Sequence, residues 1–97
     1  MITKEEAYNK IKNYLDKNIK YSSIDNINNI KFTSKDEMIY PISYRKYKGK
    51  RINYYAISYG EIWGIEERSM GILIHAETGV LLYIITPHGY LDIEYFL

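Results

Sequence analysis

Ninety-seven residues with a net charge of +1 make one domain, residues 1–97, large enough for a single helix-on-sheet core. Cysteine is absent, which excludes a disulfide framework, a thiolate zinc site and a cysteine nucleophile. The longest apolar run, Val80–Ile85, is too short to span a bilayer. The opening residues carry no apolar signal-peptide core, so a cytoplasmic protein without a membrane partner is expected.

The charge is unevenly placed. Residues 1–60 hold 12 basic and 6 acidic residues, whereas residues 61–97 hold one basic residue, Arg68, and 6 acidic ones. Such asymmetry can steer a charged partner, or the two halves can neutralise each other side by side. Tyrosine supplies 12 of the 15 aromatics, a usage that an AT-rich coding sequence would also produce.

In chain order, Thr3-Lys4-Glu5-Glu6 reads as a capping box, with Ile2 and Ala7 placed for a hydrophobic staple. Ala7, Ile11, Leu15 and Ile19 recur every four residues, and Lys10, Lys12, Asn13, Asp16 and Lys17 fill the opposite face. This pattern predicts an amphipathic helix over 3–18. Residues 21–36 are ambiguous: Ile24, Ile27 and Ile30 fit either a helical turn or an ordered loop, and the surrounding Asn and Asp compete for backbone hydrogen bonds.

Strand patterning begins at residue 37. Met38, Tyr40, Ile42 and Tyr44 alternate, with Pro41 arguing for an edge or a bulge. Lys48-Gly49 reads as a hairpin tip. The return strand from Ile52 to Tyr59 has apolar groups on both faces and suits a central position. Residues 60–69 break the regular pattern. Met70–Ala76 and Val80–Thr86 then form strands joined at Glu77-Thr78-Gly79, where glycine supplies a positive φ. A Pro87-His88-Gly89 turn and a short acidic-aromatic tail follow. The expected fold is α+β: an N-terminal helix packed on an antiparallel sheet of four or five strands.

Catalytic signals are weak. His75 and His88 are the two histidines. In a continuous strand, His75 and Glu77 would share a face, but a metal needs further ligands. The six glycines are dispersed and form no phosphate loop. The expectation is a non-enzyme without metal or cofactor.

Two segments suit binding. In 44–55, the basic residues Arg45, Lys46, Lys48, Lys50 and Arg51 interleave with tyrosines, a pattern that can contact phosphates and stack on bases. Charged hairpin tips are also common devices against edge pairing. In 60–67, Trp63 stands among Glu61, Glu66 and Glu67. It either anchors an interface or plugs the core, with the acids exposed in both cases.

Both ends of the chain resemble immunity protein family 35, small bacterial proteins found beside polymorphic toxins. The similarity rests on Met1-Ile2-Thr3-Lys4-Glu5-Glu6-Ala7 with Tyr14-Leu15, on Gly71-Ile72-Leu73-Ile74 followed by Glu77-Thr78-Gly79-Val80, and on Pro87 with Leu91-Asp92-Ile93-Glu94-Tyr95. It covers about half of the chain. The basic, tyrosine-rich hairpin departs from the family pattern.

The resemblance implies an immunity protein that neutralises a cognate basic toxin by stoichiometric binding. Glu61, Trp63, Glu66, Glu67, Asp92 and Glu94 would form the contact surface. The alternatives are a nucleic-acid-binding or phage-encoded regulator using 44–55, and a protease-inhibitor-like module of propeptide or cystatin type.

Overall fold

The computed structural model describes residues 1–18, 21, 23–38 and 49–93, with Asp92 described through its backbone alone. The expected strand over 38–44 lies outside these residues except for Met38. The fold is α+β, one helix on an antiparallel sheet of six strands.

Helix α1 spans Lys4–Asn18. Its start is the capping box read from sequence: the Glu6 amide donates to Thr3 Oγ1 at 3.1 Å, and the Thr3 amide donates to Glu6 Oε1 at 3.3 Å. These two bonds satisfy donors that a helix start otherwise leaves open. The Ile2 amide donates to the Ala76 carbonyl at 2.8 Å, which ties the helix entry to the sheet. Ala7, Ile11, Tyr14 and Leu15 form the buried stripe.

The segment that was ambiguous in sequence resolves into β1 (Ser23–Ile24), a 3-10 turn (Ile27–Asn29) and β2 (Lys31–Thr33). Asn26 caps the turn by accepting the Asn28 amide at 2.9 Å. Both strands lie along the same side of β3 (Tyr54–Trp63): Ser23 pairs with Gly60, and Thr33 with Tyr54. They form one edge strand interrupted by the 3-10 turn.

From β3 the sheet runs through β4 (Glu66–His75) and β5 (Leu81–Thr86) to β6 (Gly89–Asp92). The return strand therefore starts two residues later than expected, at Tyr54, and continues through the expected break to Trp63. Strand β3 is interior, as its two apolar faces implied. The expected tail after Gly89 is a fourth hairpin-linked strand, with Tyr90 paired to Ile85 and Leu91 to Ile84.

Alternation divides the sheet into two faces. Tyr55, Ile57 and Tyr59 of β3, Met70, Ile72 and Ile74 of β4, and Ile84 of β5 meet the helix stripe. Ile11, Leu15, Ile72, Ile74 and Ile84 are the largest fully buried side chains, each contributing about 1.5–3 kcal/mol through burial. On the other face, Leu73, Leu82 and Tyr83 form a smaller cluster that Met38, Ile52, Tyr54 and Ala56 flank.

The expected glycine turn is present between β4 and β5. The Gly79 amide donates to the His75 carbonyl and the His75 amide to the Val80 carbonyl, both at 2.8 Å. Gly79 and Val80 thus oppose one residue, a bulge that requires the positive φ of 73° at Gly79.

Candidate partner-binding site

The region that sequence patterning left irregular is a regular two-stranded ribbon. Strands β3 and β4 stay in register to the end, with Glu61 opposite Arg68, Ile62 opposite Glu67 and Trp63 opposite Glu66. Two residues, Gly64 and Ile65, close the hairpin. Gly64 has φ 67°, the left-handed value that the primed two-residue turns need at their first position.

Pairing to neighbouring strands stops short of this turn. Among the described residues, β1 reaches Gly60 and β5 reaches Gly71. The ribbon from Glu61 to Arg68 therefore continues alone for about 10 Å, at about 3.3 Å per residue. It lost its alternating apolar pattern because neither face is fully buried there.

Directly opposed residues share a face. Glu61, Trp63, Glu66 and Arg68 lie on the helix side, and Ile62 and Glu67 lie on the other. Trp63 is half-buried against the margin of the main core. Arg68 sits over its ring, 5.7 Å from the centroid, and the His88 ring stacks on it at 6.3 Å. Arg68 also pairs with Glu66 at 2.7 Å. Trp63 is thus both core margin and surface, where sequence left a choice between the two.

The acids differ from the expectation that all are exposed. Glu66 and Glu67 are exposed, whereas Glu61 is half-buried, because it lies beside buried Tyr59 where the ribbon leaves the core. Burial, then the Glu61 charge, raises the Tyr59 hydroxyl pKa well above its ordinary range.

The apex holds a residue that sequence reasoning missed. Ile65 is 103% exposed and Ile62 is 56% exposed. The available signal was the Trp63-Gly64-Ile65-Glu66 order itself, a glycine set for a two-residue turn with an apolar residue after it.

The remaining site residues are placed elsewhere. Asp92 ends β6 opposite Tyr83. Glu94, Arg45, Lys46 and Lys48 lie outside the described residues. Lys50 and Arg51 are exposed ahead of β3, and Arg51 Nη1 donates to the Met38 carbonyl.

His75 and Glu77 have no continuous strand to share a face on. The strand ends at His75, so Glu77 belongs to the turn. Its amide donates to His75 Nδ1 at 3.1 Å, while its carboxylate accepts from Asn53 Nδ2 at 2.7 Å and lies 3.9 Å from the N-terminal ammonium. The carboxylate is thus held by other partners and is not poised as an acid–base pair with the imidazole.

Among the described residues, no three of His, Asp and Glu group as metal ligands. An open groove of about 510 Å³ between the helix start and the 3-10 turn is lined by Thr3, Lys4, Glu5, Ile27 and Asn28. Its hydroxyl, Thr3, is already engaged in the capping box. No helix among the described residues is long and apolar enough to cross a membrane.

Comparison with known proteins returned nothing: no family model, no curated protein and no solved structure matches this chain.

Proposed function

We propose that this chain is a cytoplasmic immunity protein that neutralises a bacterial toxin by stoichiometric binding, without turnover of its own. The observation that carries the reading is the β3–β4 ribbon. It extends past its neighbouring strands and combines exposed apolar groups at Ile62 and Ile65 with carboxylates at Glu61, Glu66 and Glu67. An acidic element with an apolar tip suits the substrate cleft of a basic toxin, where a nuclease would otherwise hold phosphates. Trp63, steadied by Arg68, supports the element from within the protein.

The resemblance to immunity protein family 35 supplies the toxin context, and the ribbon supplies a physical means of blocking. The test is co-expression with a candidate toxin, sought as the product of a gene adjoining the one for this chain. Restored growth and a purified 1:1 complex are expected. Growth arrest despite ample folded protein would contradict the proposal.

A further inference from the structure

The arrangement of Glu66 and Glu67 bears on the shape of the partner. They are adjacent in sequence but project from opposite faces of a two-stranded ribbon, because Glu66 opposes Trp63 and Glu67 opposes Ile62. A flat surface meeting one face would leave one of these carboxylates pointing away. Between the faces, at the apex, Ile65 has its whole side chain in solvent.

The turn gains no conformational advantage from that isoleucine. The closing positions of two-residue hairpins favour asparagine, aspartate and glycine, and a β-branched residue gains nothing from the turn. It also makes no intramolecular packing contribution at 103% exposure. Ile62, on the Glu67 face, extends the apolar surface down one side.

We infer that the ribbon enters its partner tip first. The partner is a protein with a cleft, apolar at its floor to receive Ile65 and lined with lysine or arginine on both walls to meet Glu66 and Glu67. Charge complementarity supports this choice: residues 61–68 contain three carboxylates and one guanidinium, so the ribbon end stays net negative even with Arg68 and Glu66 paired to each other at 2.7 Å. Apolar contact at the floor would then limit dissociation, and the walls would speed association. The inference rests on reading this end as partner-facing, and does not require the partner to be a toxin.

The test places a photo-crosslinking benzophenone residue at position 65 of the full chain, with position 35 at the opposite end of β3 as control. Irradiation in living cells should join position 65, and not 35, to one protein. The attachment point should map to a concave site flanked by basic residues. Glu66→Lys with Glu67→Lys should lower that yield roughly tenfold through lost charge complementarity. Ile65→Asn, which suits the turn and should leave thermal unfolding unchanged, should shorten complex lifetime when the joined protein is purified.

No adduct, an adduct to a second copy of this chain, or a yield indifferent to charge reversal would overturn the inference. If the joined protein meets every criterion but is harmless to cells when expressed alone, the cleft inference holds and the toxin reading fails.

Discussion

Arg68 holds its guanidinium over the ring of Trp63, 5.7 Å from the centroid, at the point where the ribbon leaves the core. A cation–π contact of this kind contributes about 0.5–1 kcal/mol, and the exposed Arg68–Glu66 pair about as much or less. Arg68→Ala should therefore cost about 1 kcal/mol. It should also shift tryptophan emission to the red, a clean signal because Trp63 is the sole tryptophan. An unchanged spectrum would show that Arg68 does not shield the ring.

Two buried tyrosines should respond unequally to loss of their hydroxyls. Tyr14 donates to the Ile93 carbonyl at 3.1 Å and joins the helix to the end of the sheet. Tyr14→Phe should cost about 1–2 kcal/mol by stranding that acceptor. Tyr59 has no hydrogen-bond partner for its buried hydroxyl among the described residues. Tyr59→Phe should cost less than about 0.5 kcal/mol or stabilise the fold. Urea denaturation of the two variants separates these outcomes, and equal losses would contradict the assignment.

The same burial predicts an alkaline limit to stability. Burial first, then the neighbouring Tyr90 and Tyr54, pushes the Tyr83 pKa from 10.0 up to about 12, and the Tyr59 pKa is raised by burial as well. Above pH 10 the unfolded chain releases these protons while the folded chain retains them. Stability is therefore fully present below pH 10 and falls as pH rises toward 12. Each group should contribute a slope of up to about 1.4 kcal/mol per pH unit. Tyr83→Phe should flatten the decline measured by urea melts across that window. A parallel decline in the variant would contradict the cause.

The tip turn depends on Gly64. A Cβ there meets nothing within 4 Å, so only its φ of 67° opposes substitution. Gly64→Ala should cost about 1–2 kcal/mol from the left-handed backbone, and Gly64→Asn less, because asparagine tolerates that region. Thermal unfolding should give the order glycine, asparagine, alanine, and an alanine variant as stable as the parent would contradict the turn geometry.

What was legible in the sequence follows the physics of burial. Ala7, Ile11 and Leu15 repeat at helical spacing because one helix face is buried, and Thr3 and Glu6 mark its start through reciprocal bonds. Gly79 announced its hairpin because the bulge demands a positive φ. Strands β1 and β2 left no periodic trace: they pair with β3 through only two or three residues each, too few for an alternation to show. The ribbon was missed because apolar alternation comes from a buried face, and Glu61 to Arg68 lie largely beyond one. The local sequence groups Trp63 with Glu61, Glu66 and Glu67. Their division between two faces depends on a turn of two residues, Gly64 and Ile65, and an isoleucine there reads as a strand residue.

The most direct measurement is the association rate of this chain with the basic toxin that the proposed function requires, by stopped flow at low and high salt. The parent chain should associate fast at low salt and several-fold more slowly at about 0.5 M salt, as screening removes steering. A variant carrying Glu66→Lys and Glu67→Lys should start slow and lose that salt dependence. Equal rates for parent and variant at both salt concentrations would contradict the account.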